Sequence, residues 1–433
     1  MDEINQKLPI SKLSVLGLQH VLILYFSSVS VPLIVGNALK LSTGEIAFLI
    51  NASLLCAGIA TLVQSIGFGK YVGLKMPVMQ GMTLMASGAL TAIATSYDIQ
   101  TVFGAVIAAG VVCLVIGPVF SKLMPLFPNI VRGCVISVVG LTLIPVAVNW
   151  IAGTKDTELY GHPTNFLLAL IVVAVIVVLN KFCTGFVKNI AVLIALCAGF
   201  AAALAMGRVD LSGVSQASWF GVTLPFHFGL PKFALTPIVS LSVVMLVIMA
   251  ESIVIYLAIG EIVEHDTTEK DMSRGFIANG INVIFSGIFN SFVFTSFTQN
   301  IGLVALTKIK SRFTTAAGGV ILILLGFFPK IATIVASIPS PVLGGVGIVV
   351  FATITASGIK TMMSADISKG DNSLIAALSI GVGLGSTLLK SAGAFAAFSP
   401  NIRIFLEDGV ITGCITAVVL NLIFNGYREK EKK

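Results

Sequence analysis

The chain has 433 residues, is 56% hydrophobic and only 10% charged, and has a mean hydropathy of +1.03, which together exclude an ordinary soluble domain. Its formal charge of +7 does not call for nucleic acid, because in a chain this apolar the positions of Lys and Arg report topology rather than partners.

Apolar runs of about 20 residues, enough to cross roughly 30 Å of hydrocarbon, recur from Ser14 onward. The first, 14–38, is too long for the apolar core of a signal peptide and lacks a small-residue cleavage site, so it reads as a retained helix. It is followed by 44–66, 76–96, 101–121, 129–150, 164–181 and 186–206. The second half supplies 233–259, 275–292, 294–308, 312–328, 333–359, 373–389 and 409–426. That makes 14 segments and an all-α polytopic membrane protein whose main partner is the lipid bilayer. With the N-terminus inside, 19 of the 26 Lys and Arg fall on the cytoplasmic side, among them Lys70, Lys75, Lys122, Arg132, Lys369, Arg428, Lys430, Lys432 and Lys433. The seven outside are Lys40, Lys155, Arg208, Lys232, Lys330, Lys390 and Arg403. This bias is that of a cell-membrane protein with both termini cytoplasmic, and losing one segment would scramble it.

Fourteen segments divide into two sets of seven. An odd number per half inserts the second half upside down, and such inverted repeats place the substrate at their interface. Segment three, MPVMQGMTLMASGAL, and segment ten, VFTSFTQNIGLVALTK, each show an extended piece ending in Gln and then a small-residue helix start. On this alignment Gln80 matches Gln299. Pro77 lacks an amide hydrogen, and Gly81 and Gly302 tolerate unusual backbone angles, so both segments are expected to be part strand and part half-helix. Each half-helix then aims free amides, at its positive end, toward the midplane. A polar break at membrane depth survives only where it is buried in protein or lines a cavity, which makes Thr298-Gln299-Asn300 a candidate site.

Two titratable groups fall deep inside segments: His20 in segment one and Glu251 in segment eight. A carboxylate at mid-helix costs about 2.5–3.5 kcal/mol on insertion scales, so Glu251 is a functional candidate. His20 either bonds a neighbouring helix or takes part in the chemistry. The run EIVEHDTTEKDMSR clusters Glu264, His265 and Asp266 without a recognised ligand spacing, and reads as a solvated loop rather than a metal site. Cys56, Cys113, Cys134, Cys183, Cys197 and Cys414 are scattered and imply neither disulfides nor metal. The glycine runs near Gly344 and Gly381 lack the Gly-Lys-Ser/Thr of a phosphate loop and read as close helix packing. No nucleophile with its base, metal set or cofactor motif is apparent, so the chain does not read as an enzyme.

The string Gln299-Asn300-Ile301-Gly302 with Thr307 and Lys308 fits Gln-Asn-x-Gly-x4-Thr-[Arg/Lys/Gly], the signature of the nucleobase-ascorbate transporter family, also called nucleobase:cation symporter-2. The resemblance covers essentially the whole chain. LGLQHVLILYFSSVSVPLIVG, with Gln19-His20, looks like the family's first helix, and Ala250-Glu251-Ser252 like its acidic eighth. Gln at the first motif position resembles the xanthine and urate branch, whereas uracil permeases usually place Glu there. GEIVEHDTTEKDMSRG and GIFNSF also look like bacterial xanthine permeases. Many purine members carry Asp where this chain has Ile255 and Asn279, which leaves fewer protonatable groups.

The resemblance implies a core domain of residues 14–123 and 233–328 and a gate domain of 124–232 and 329–427. It also implies a homodimer in which core slides against gate, an elevator form of alternating access. The expected function is proton-coupled import of a purine, xanthine first and urate next, with Na⁺ an alternative coupling ion. Glu251, Gln299, Gln80 and Gly302 are the expected substrate contacts. Glu251, His20, Asn300 and Thr307 are expected to couple protons or support the motif. A uracil permease of the family is a further alternative, as is an anion transporter or channel of the same architecture; the buried Glu251 argues against the latter.

Overall fold

The computed structural model describes residues 3–153, 159–365, 367 and 371–426, and for 121–125, 400, 401 and 404 the backbone alone. Lys155, Lys369, Arg428, Lys430, Lys432 and Lys433 of the charge count lie outside the described residues, as does the side chain of Lys122.

In chain order the helices are α1 (Ile10–Ala38), α2 (Thr43–Ile66), α3 (Ser87–Ser96), α4 (Ile99–Ile116), α5 (Asn129–Ala152), α6 (Pro163–Phe182), α7 (Gly185–Asn189), α8 (Ala191–Ala205) and α9 (Ser212–Gln216). There follow α10 (Leu235–Ile262), α11 (Glu269–Ile288), α12 (Thr298–Thr307), α13 (Arg312–Leu325), α14 (Pro329–Ala336), α15 (Ser340–Met363), α16 (Asn372–Ser391), α17 (Pro400–Glu407) and α18 (Gly409–Asn425). Two short strands, β1 (Gln80–Met82) and β2 (Phe294–Ser296), precede α3 and α12. Among the described residues eight helices are long and apolar enough to cross a membrane, or nine if α13 and α14 form one bent span. The protein is therefore a multi-pass membrane protein.

Local chemistry sets several boundaries. Ser42 and Glu45 form a reciprocal cap that starts α2, and Asp98 caps α4. Thr268 and Asp271 form a second reciprocal cap, so α11 begins six residues before the expected segment and takes up part of what reads as a loop in the sequence. Asp271 is buried there, bonded to Thr268 and paired with His265 and Arg274. The chain turns by 84° between α13 and α14, where Pro329 opens the second helix.

The packing sorts the helices into two bodies. In one, α1 and α2 pack on α13 while α4 packs on α10 and α11. In the other, α15 packs on α5, α6 and α8, and α18 on α5 and α16. Backbones approach closely within both: a carbon added at Gly58 would fall 2.5 Å from the Gly319 carbonyl oxygen, and one at Gly358 would fall 2.8 Å from that of Gly133. Gly344 and Gly345 of the first glycine run are close-packed likewise, but in the second only Gly383 is, Gly381 and Gly385 facing open space.

Loops from both halves gather at two opposite ends. Lys310, between α12 and α13, pairs with Glu3 at 3.0 Å and with Glu264 at 2.8 Å. The bond from Glu264, then that from Glu3, holds its ammonium above the ordinary lysine value. One depression at this end is lined by Asn5, Lys75, His265 and Arg274. At the other end Lys232 pairs with Asp98 at 2.6 Å and the Gly221 amide bonds the Phe327 carbonyl.

Candidate functional site

The two strands are fully buried within the first body, packed against α1, α2, α10 and α11. They pair antiparallel with Gln80 opposite Ser296, Gly81 opposite Thr295 and Met82 opposite Phe294. Because each strand is followed by its own helix, antiparallel pairing sends α3 and α12 away in opposite directions with their N-terminal ends toward the strand pair. Backbone bonds extend the pairing on both sides, from the Phe297 amide to the Met79 carbonyl (3.0 Å) and from the Thr83 amide to the Val293 carbonyl (3.2 Å). Among the described residues no side chain caps α12, whose N-cap is Phe297, and although the Asn300 amide bonds the Phe297 carbonyl at 3.1 Å, those of Thr298 and Gln299 stay available to a ligand.

Extended backbone inside a membrane protein needs polar support, and neighbouring helices provide it. Thr61 of α2 accepts a bond from the Gln80 amide at 3.0 Å, and Ser65 donates to the Val78 carbonyl at 3.1 Å. Gln64, one turn from Thr61, donates to Tyr256 Oη (3.1 Å) and the Gly275 carbonyl (2.9 Å) and accepts from the Leu74 amide (3.0 Å). On α10, Ser252 meets Thr295 of β2 hydroxyl to hydroxyl at 3.0 Å. The sequence reading singled out none of Thr61, Gln64 and Ser65, nor Thr295, Ser296 or Tyr256. The first three lie at i, i+3 and i+4 in an otherwise apolar helix, a polar stripe that helical spacing makes visible.

The expected site residues sort into exposed and buried groups. Gln299 and Gly302 are exposed on the first turns of α12, and a carbon added at Gly302 would meet nothing within 4 Å. Glu251 is half-buried on α10, which packs against both β2 and α12. Among the described residues its carboxylate has neither a hydrogen-bond nor an ion-pair partner, while its neighbour Ser252 is anchored to β2. The bonds of Ser252 thus fix the height of Glu251 beside the strand pair.

Gln80 is fully buried, and its amide nitrogen donates to Ser296 Oγ at 2.9 Å. The strand register therefore sets Gln80 against Ser296 and at the start of its strand, while Gln299 lies in a helix. The two glutamines are not equivalent in three dimensions. Asn300 is buried and donates from Nδ2 to the Pro77 carbonyl at 2.8 Å, stitching α12 to the extended piece before β1. His20 is buried beside Asn300. Thr307 bonds back to the Leu303 carbonyl at 2.9 Å and accepts from the Ile309 amide at 3.4 Å, ending α12 where Lys308 turns left-handed at φ 55°. Ile255 is buried one turn beyond Glu251, and Asn279 is buried beside Cys113 of α4.

Comparisons with known proteins agree with this arrangement. A family model described as Permease family matches residues 11–391. The chain is 40% identical to the uric acid transporter UacT of Escherichia coli (strain K12), over 99% of this chain and 89% of that protein. It is 40% identical to the uric acid permease PucJ of Bacillus subtilis (strain 168), over 97% and 94%, and 39% identical to the xanthine permease of the same organism, over 96% and 94%. Among solved structures, the transmembrane domain of a cyanobacterium bicarbonate transporter, BicA, superposes with a TM-score of 0.63 at 15% identity, covering 97% of this chain and 99% of that one. The murine anion transporter Slc26a9 in its inward-facing state gives 0.65 at 12%, covering 96% and 69%. At such identities these two establish the fold alone. With an antiparallel strand pair from which α3 and α12 depart in opposite directions, the signature Gln299-Asn300-x-Gly302 on α12 and a family match over residues 11–391, the chain belongs to the permease family of the nucleobase:cation symporter-2 type and is a transporter rather than an enzyme.

Proposed function

We propose that the protein imports a purine nucleobase, xanthine first, by proton symport. The observation that carries the reading is the conjunction of Glu251, a carboxylate without a partner among the described residues, with Gln299 on the uncapped first turn of α12. Xanthine presents ring N–H donors beside carbonyl acceptors. Glu251 accepts the N–H groups, Gln299 donates and accepts through its amide, and the α12 amides meet a carbonyl. Gly302 leaves that approach open. A proton loaded on Glu251 neutralises the site, so that the moving body carries no uncompensated charge through the membrane. Asn300, His20, Thr307 and Gln80 support the motif from behind, through Pro77, Asn300, the α12 terminus and Ser296 respectively.

In the same reading the chain makes 14 passes in a seven-plus-seven inverted repeat with both termini cytoplasmic. Residues 14–123 and 233–328 form the moving core, 124–232 and 329–427 the gate, and the protein works as a homodimer. The antiparallel strand pair and the division of the packing into two bodies support this plan. Urate is the second reading, favoured by the relatives named for uric acid at 40% identity. Uptake of labelled xanthine into vesicles with imposed pH or Na⁺ gradients, competed by urate, guanine, uracil and sulfate, decides among these. Accumulation driven by a pH gradient and displaced by xanthine and urate alone is expected. Accumulation driven only by Na⁺, or displaced by sulfate, would overturn the proposal.

A further inference from the structure

Asp408 belongs to neither the motif nor the polar network around the strands. It links α17 to α18, the helix that packs on α5 and α16 in the second body. Its Oδ1 accepts bonds from the amides of Val410 (2.8 Å) and Ile411 (3.0 Å), whereas Oδ2 is buried and has no hydrogen-bond partner among the described residues. Its position is firmly held. The preceding Glu407 is paired with Lys390 (3.7 Å) and Arg403 (3.3 Å), the Ser386 hydroxyl bonds the Leu406 carbonyl, and a carbon added at Gly383 would fall 2.8 Å from the Gly409 carbonyl oxygen.

The carboxylate faces α3, which packs on α1, α4 and α10 of the first body. A carbon added at Gly88 of α3 would lie 3.7 Å from Oδ2 and 3.9 Å from Oδ1. Gly88, Thr91 and Thr95 share one face of α3, since residues three and four apart stack along a helix. One turn beyond Gly88, Thr91 Oγ1 is also buried without a hydrogen-bond partner among the described residues. Two orphaned polar atoms therefore stand on opposite bodies, about one turn apart along α3. Buried groups of this kind are costly and uncommon, and each calls for an explanation.

We propose that Asp408 and Thr91 are the two halves of a latch that is open in this structure and closed in the opposite access state. Translating the first body along α3 by one turn, about 5 Å, carries the Thr91 hydroxyl to Asp408 Oδ2, to which it donates a charge-assisted bond. The latch rests on the sliding of core against gate proposed above. It gives the shifted state a bond that this state lacks, and so biases the equilibrium between them. Neither residue needs to touch substrate for this.

The test uses the full chain in proteoliposomes, with xanthine as probe. Thr91→Val should slow uptake about tenfold, the worth of one bond to a charged group, while equilibrium xanthine binding changes less than about twofold. Thr91→Ser, which keeps the hydroxyl, should restore uptake. Asp408→Ser keeps an N-cap oxygen for α18 but has no second oxygen, so it should slow uptake as well. In that background Thr91→Val should add nothing further. Parent-like uptake in Thr91→Val, or losses that multiply in the double variant, would overturn the latch. Thiol labelling of Ala305→Cys on the exposed side of α12, with and without xanthine, separates the two ideas. If labelling does not respond to xanthine, sliding fails and the latch with it. If it responds while the losses multiply, the latch alone fails.

Discussion

Among the described residues the carboxylate of Glu251 has neither a hydrogen-bond nor an ion-pair partner, although Ser252 beside it is bonded to β2. In the proposed function that carboxylate is the group that takes up a proton or a purine N–H. Glu251→Gln keeps shape and one acceptor but can neither release a proton nor carry charge. Correct insertion with uphill accumulation reduced to background is expected, together with weaker xanthine binding, measured as vesicle uptake with and without a pH gradient. Accumulation that still follows pH at the parent's level would remove Glu251 from coupling. Gln299→Glu loses the N–H donors of the amide, and a site built on a hydrogen bond discriminates strongly against a partner that cannot complete it. Xanthine affinity should fall at least about tenfold, with selectivity broadening toward uracil, checked by competition at matched expression. Both residues were legible in the sequence, because a charge or amide inside an apolar run has few reasons to be there. Gln80 was legible as a polar break but not as a buried brace, since its role depends on a strand register that pairs it with Ser296, 216 positions away.

At the scale of elements, Asn300 ties α12 to the extended piece before β1 through the Pro77 carbonyl. Asn300→Ala leaves that carbonyl unsatisfied in the interior, at a cost of about 1–3 kcal/mol. A lower unfolding temperature of the purified protein and a smaller stabilisation by added xanthine are the expected results. Unchanged values for both would show that the stitch is dispensable. Thr307→Ala, which removes only local bonds at the end of α12, should cost less than about 1 kcal/mol in the same assay. The apolar runs located the long helices well, because about 20 apolar residues have little choice but to span. They did not reveal the early start of α11, which a Thr268–Asp271 cap pulls into a charged stretch. Nor did they reveal the 84° turn before Pro329, where two short helices together look like the end of one segment and the start of another. Asp408 escaped notice for a related reason: the 20-residue stretch around it is broken into a short helix and a cap, and hydropathy alone makes it a loop.

For the whole molecule, loops gather at two ends, and the proposed topology assigns one of them to the cytoplasm. Lys310, Glu3, Glu264, Lys75 and Arg274 meet at one end, and Lys232 and Asp98 at the other. Single cysteines placed near Lys75, Arg132 and Lys310 should therefore react only with reagent added from the cytoplasm, and those near Lys40 and Lys330 only from outside. Reversal at two of these sites would sink the inverted-repeat plan.

The antiparallel pairing of β1 with β2 also has a consequence for biogenesis. While the first half of the chain emerges from the ribosome, residues 76–86 have no strand to pair with, and about two hundred more residues must be made before β2 arrives. Unpaired extended backbone cannot rest in lipid. The newborn first half must therefore keep that segment sheltered, against the insertion machinery or in a provisional helix, until its counterpart is delivered. Assembly of the permease is then a timed event with a vulnerable interval, and the two halves made as separate polypeptides, divided in the 207–233 connection, should regain xanthine uptake only when synthesised together.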